Sequence, residues 1–168
     1  AKDLHRLDEF RGLVACINDA ADSVLKFLKT GDGAVEITGL WANMNPKGTA
    51  HPIHSHPNNF LSGVYFVRTF ESADTVNFHD PRPQTGIIRP PVEDLTAENT
   101  DQVVVKVEDG ALLMFPSWLP HSVDASVSAA ARISFPSTLM FSSYAETMSH
   151  PLLLRQHRPP LPLLLYGK

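Results

Sequence analysis

Between Asp3 and Thr30 the apolar residues Leu4, Leu7, Phe10, Val14, Ile17, Ala21, Val24 and Leu28 recur at three- and four-residue intervals. That spacing gathers them on one face of a 3.6-residue helix and leaves the charged residues on the other. It predicts an amphipathic helix, or two if Asn18 and Asp19 interrupt it. "TGDG" at 30–33 supplies the stop, with glycine placed where a left-handed cap is cheap. A helix with one apolar stripe is suited to covering the outside of a sheet.

After Gly33 the rhythm changes to alternation and β-branched runs: "AVEITGLWANM", "LSGVYFVRTF", "TVNFH", "VVVKV", "ALLMF" and "ARISF", separated by Pro, Gly, Asn and Asp clusters. These predict a sheet structure of many short antiparallel strands. The stretch from Asp80 to Asp101, with Pro81, Pro83, Pro90 and Pro91, reads as a long loop, and long loops in small domains are more often functional than idle. The tail "RQHRPPLPLLLYGK" cannot form a regular helix through its prolines. Its leucines are expected to pack on the outside of the core or on a partner subunit, which leaves a homo-oligomer open.

Length adds that all of this fits one domain: residues 1–32 as helical cover, 33–145 as β core and 146–168 as a Pro/Leu-rich tail. With 43% apolar and 19% charged residues, the chain has the composition of a folded globular protein. Its net charge of −4 and scattered basic residues argue against a nucleic-acid partner. A lone cysteine, Cys16, excludes an internal disulfide and cysteine-built metal sites, and points to a reducing, cytoplasmic setting. No apolar run has the length of a membrane span, no signal-peptide pattern opens the chain, and the absence of an initial Met reads as a trimmed start.

The candidate chemistry lies in "HPIHSHPNNF". His54 and His56 stand two apart, so on a strand both imidazoles leave one face and can share a metal ion. A third imidazole, His121, follows the buried-strand pattern of "GALLMFPSWLPHSV". Gly48 ahead of the first pair, and Gly110, Pro116 and His121 in the second stretch, repeat in outline the two histidine motifs of cupin-type double-stranded β-helices, a jelly-roll architecture. The first motif lacks its usual glutamate, and Trp118 stands where the second usually has glycine. In "ARISF", Arg132 and Ser134 alternate onto one strand face, and a guanidinium buried there needs an anionic partner such as a dicarboxylate.

The set "WANMNPKG", "HSHPNNFLSGVYFV", "FHDPRP", "GALLMFPSWLPHSV" and "RISF", over about residues 35 to 141, resembles the 2-oxoglutarate and iron(II)-dependent oxygenase family of short bacterial and phage proteins. The resemblance implies a jelly-roll core in which Fe(II), 2-oxoglutarate and O2 oxidise, for instance hydroxylate, a small molecule or a side chain. His121 would be the distal iron ligand, and His54 and His56 would fill the place of the His-x-carboxylate pair. Arg132 with Ser134 would hold the far carboxylate of 2-oxoglutarate. The usual facial triad contains one carboxylate, so Asp80 is the candidate for a carboxylate supplied by another strand. Trp41, Asn43 and Asn45 share a face of the preceding strand, with Asn43 and Tyr65 as candidates to contact 2-oxoglutarate. His79, beside Asp80 and Arg82, would face substrate, and His51 would be solvated. Two other readings stand beside this one: a three-histidine cupin dioxygenase or isomerase without 2-oxoglutarate, favoured if Arg132 points outward, and a non-catalytic jelly-roll binding module, favoured if the three histidines do not converge.

Overall fold

The computed structural model describes residues 2–30, 34–71, 73–82, 91–94, 96 and 98–143. The tail, as read above, and residues 83–90, 95 and 97 of the proline-rich loop lie outside the described residues.

Two short 3-10 turns, Leu4–Arg6 and Asp8–Phe10, precede one helix, α1, Arg11–Leu28. Asn18 and Asp19 do not break it. The left-handed cap falls on Lys29, φ 52°, and not on a glycine, its N–H reaching back to the carbonyls of Leu25 and Lys26. Ile17, Ala21 and Leu25, spaced by four, form the buried stripe.

Among the described residues nine strands follow: β1 Val35–Leu40, β2 Asn43–Asn45, β3 His51–His54, β4 Leu61–Arg68, β5 Thr75–His79, β6 Gln102–Lys106, β7 Leu112–Pro116, β8 His121–Val123 and β9 Arg132–Phe141. They pair antiparallel in two sheets. The larger runs β1-β9-β4-β7 with β2 also on β9; the smaller runs β3-β8-β5-β6. Each predicted strand is present. "AVEITGLWANM" is divided into β1 and β2, and the two short histidine-bearing strands β3 and β8 were not among the predicted runs.

The division has a cause in β9. Pro136 has no N–H to donate, and it stands opposite the gap between β1 and β2, where its carbonyl accepts the Trp41 N–H at 3.1 Å. A proline is thereby tolerated in a central strand, and Trp41 sits in the interruption.

Two apolar clusters hold the layers together. Ile17 and Ala21 of α1 pack with Leu40, Leu61 and Leu139 on the outer face of the larger sheet. Phe66, Val76, Phe78, Val107 and Phe115 fill the space between the sheets. Gly48 and Gly110, marked in the sequence by their place ahead of the histidine motifs, have φ of 81° and 82°, a conformation that L side chains rarely adopt. Among the described residues no helix is long and apolar enough to cross a membrane.

Candidate metal centre

β3 and β8 pair so that His54 stands directly opposite His121, and their rings come within 4.3 Å, centroid to centroid. His56 lies just past the end of β3. Its N–H bonds the Ser117 carbonyl at 2.9 Å, tying the loop to the turn between β7 and β8, and its ring is 5.1 Å from each of the other two. One ring nitrogen from each of His54, His56 and His121 lies within 4.8 Å of the others, a spacing that could hold a metal ion.

Two of the three imidazoles are oriented by the backbone. His54 Nδ1 donates to the Pro52 carbonyl at 2.8 Å and His121 Nδ1 to the Leu119 carbonyl at 3.0 Å. A carbonyl can only accept, so the proton is on Nδ1 in each ring and Nε2 keeps its lone pair for a metal. Burial pushes the His56 pKa down to about 4, helped by His121, His54 and Lys2 nearby. His121 is also lowered, first by burial behind Phe115 at 4.8 Å, with its bond to Leu119 opposing the shift. Neutral imidazole is the form that ligates metal.

The histidines form one wall of a cavity of about 200 Å³ that is open to solvent on one side and lies between the sheets. Its other walls include Trp41, Asn43, His51, Val64, Phe66, Arg132 and Ser134. Arg132 is 4% exposed, and neither its Nε nor its Nη1 has a hydrogen-bond partner among the described residues. Burial lowers its pKa. Among the described residues no Asp or Glu lines the cavity. A buried guanidinium with bare N–H groups is costly; together with three imidazole nitrogens, it fits a metal ion plus an anion with a carboxylate.

Asn43 and Ser134, expected near the co-substrate, do line this cavity, and they are register partners across β2 and β9. Tyr65 does not. Strand alternation turns Val64 and Phe66 of β4 into the cavity and Tyr65 to the opposite face. Asp80 is not brought to the histidines either: it accepts from Arg82 Nε at 3.0 Å and lines a separate hollow near the end of β5. Arg82 draws its pKa down to about 2. His79 lines that same hollow, its Nε2 bonded to Ser122 Oγ at 2.8 Å.

His51 is the residue that the sequence reading misplaced. Simple alternation puts it on the face opposite His54, three positions on. The pairing of β3 with β8 shifts register between His51 and His54, and this irregularity turns His51 into the cavity, where Asn45 Nδ2 stands 2.9 Å from its Nε2. The two prolines flanking "IHSH" are the sequence signal of that irregularity. They do not say which way the strand bends.

An open groove of about 680 Å³ begins at the other side of His56 and Trp41, both of which line it together with Lys2, Glu36, Asn58 and Met140. Asn58, two residues after His56, holds φ 63° in the left-handed region that asparagine tolerates best among non-glycine residues.

Two antiparallel sheets wound face to face, with an outer helix, define a double-stranded β-helix. Solved structures share this fold: a prolyl-4-hydroxylase from Pseudomonas putida at 14% identity, covering 81% of this chain and 69% of that one, TM-score 0.56; and the non-haem alpha-ketoglutarate-dependent epimerase SnoN from nogalamycin biosynthesis at 13% identity, 84% and 60%, TM-score 0.62. A prolyl hydroxylase from Trichoplax adhaerens, in complex with a hypoxia inducible factor peptide fragment, matches at 14% identity, 80% and 59%, TM-score 0.51. The chain thus spans about three fifths of the length of the last two. The family model described as "Putative 2OG-Fe(II) oxygenase" matches residues 39–138, more than half of the chain. The chain belongs to this family of 2-oxoglutarate and iron(II)-dependent oxygenases. No curated protein matches it in sequence.

Proposed function

We propose that the chain is an oxygenase that binds iron(II) through His54, His56 and His121 and takes 2-oxoglutarate into the cavity that they line. The observation that carries this is Arg132, whose buried guanidinium has two nitrogens, Nε and Nη1, without a hydrogen-bond partner among the described residues, in the cavity that the three histidines line. Arg132 binds the far carboxylate, with Ser134 beside it as a hydroxyl donor and Asn43 on the adjoining strand. The replacement of the facial carboxylate by an imidazole follows the same electrostatics. With no carboxylate among the described residues of the wall, the positive charge of the metal and of Arg132 is left for an anionic co-substrate to balance.

When bound, iron(II) with 2-oxoglutarate and O2 supplies a two-electron oxidation of the substrate while the co-substrate loses CO2 to become succinate. The chain's own part is to orient and to exclude water. The carbonyls of Pro52 and Leu119 fix two imidazoles, and Phe115, Phe66 and Val76 keep the inner end of the cavity dry. Substrate approaches by the open groove, where Trp41 and His56 form the partition between it and the cavity. A small molecule or a side chain fits this route, and hydroxylation is the outcome proposed.

The test is anaerobic titration of the iron(II)-loaded protein with 2-oxoglutarate, followed by the weak visible charge-transfer band of a chelated oxo acid. The band is expected, and it is expected to be lost in Arg132→Ala. Iron binding without a band would favour a three-histidine cupin enzyme that works without 2-oxoglutarate. No iron binding at all would leave a binding module.

A further inference from the structure

The wall beside Arg132 holds one more donor. His51 is half-buried in the cavity, opposite Val123 of β8. Asn45, 6% exposed and the register partner of Arg132 across β2 and β9, donates through Nδ2 to His51 Nε2. An Nε2 that accepts leaves the ring proton on Nδ1. Among the described residues that Nδ1 meets no acceptor. The cavity therefore brings together a buried guanidinium, two of whose nitrogens have no partner among the described residues, and an imidazole N–H that no described protein acceptor claims, with no carboxylate among the described residues of the wall.

We propose that His51 is a specificity-determining residue, a second donor to the far carboxylate of an oxo-dicarboxylic acid, held in the donating tautomer by Asn45. The inference rests on the reading of this cavity as the 2-oxoglutarate site. Arg132 alone supplies charge, which any carboxylate satisfies. An imidazole N–H at a fixed place adds a constraint of direction, and so of the length of the acid. Asn45 acts through His51 and is a positioning residue.

The experiment is anaerobic calorimetric titration of the full iron(II)-loaded chain with 2-oxoglutarate and, separately, with 2-oxobutyrate, which has the same oxo-acid end and no far carboxylate. Wild type is expected to prefer 2-oxoglutarate. His51→Phe keeps a ring of similar size without a donor, and is expected to weaken 2-oxoglutarate binding about tenfold or more, the scale of a lost hydrogen bond to a charged group, and to leave 2-oxobutyrate unchanged. His51→Asn, whose amide N–H stands near the place of Nδ1–H, is expected to recover most of the loss. Asn45→Leu, which leaves His51 in place without its fixed tautomer, lowers the preference several-fold. An unchanged preference in that variant overturns the proposal even if His51→Phe does not fold. Equal loss for both acids in His51→Phe makes the role merely structural and also overturns it. A wild type that binds the two acids equally removes the reading of the cavity as a site for the far carboxylate of 2-oxoglutarate, an outcome distinct from the failure of His51.

Discussion

The two faces of β9 carry opposite chemistry on one strand. Outward, Phe135 meets Phe10 edge to face at 5.3 Å and Leu139 is fully buried with Ile17 and Ala21 of α1. Inward, Arg132, Ser134 and Pro136 line the histidine cavity, and Thr138 and Met140 continue into the neighbouring groove. The outer face is dry and gains stability from every methylene it removes from water. On the inner face, a guanidinium and imidazoles are held out of water before any ligand compensates them. Stability is concentrated on one side of the strand, and binding on the other.

The sharpest way to separate the two faces is to damage each alone. Leu139→Ala is expected to cost about 2–5 kcal/mol, the usual range for a fully buried leucine, read as a fall in the urea midpoint. Iron binding by the folded fraction should persist, and its loss would show that the faces are coupled. Arg132→Met should act in the reverse sense. Removing an uncompensated buried charge is expected to leave the ligand-free protein as stable or more stable by about 1 kcal/mol or more, while 2-oxoglutarate binding is lost. A clear drop in the melting temperature of that variant would mean that the guanidinium supports the fold.

A subtler probe of the outer face is Gly63. A Cβ there would come 2.7 Å from Ser137 Oγ, in a region where Ser137 is 1% exposed. Gly63→Ala is expected to destabilise by about 1–3 kcal/mol through overpacking, with the histidine site unchanged by metal titration. Retained stability would show that Ser137 can turn aside.

The smallest expected effect is that of pH on the inner face of the metal-free protein. His51, His56 and His121 all have folded pKa values below the ordinary one, so above about pH 6.5 they are neutral in both states and make no difference. As pH falls from there toward 4, the unfolded chain takes up protons that the folded site refuses, and stability declines. Urea midpoints measured across that window should fall, and His56→Gln should flatten the slope. Asp80 and Asp109, lowered by hydrogen bonds from Arg82 and Thr69, act below this window, at the acid end of the carboxylate range.

The sequence by itself determined the helix, most of the strands and the identity of the three histidines that could hold a metal. Helix and strand follow from hydrophobic period, which local chemistry sets; His54, His56 and His121 could be named because their motifs are contiguous, and Arg132 and Ser134 because they alternate on β9. Tertiary structure decided what depends on register. Tyr65 is one position out of phase with the cavity, Asp80 is claimed by Arg82, and His51 enters the site only because β3 shifts against β8. A period of two assigns faces only while pairing is regular. One irregular residue inverts the assignment, and its direction is fixed by the neighbouring strand, which lies some seventy positions away in the chain.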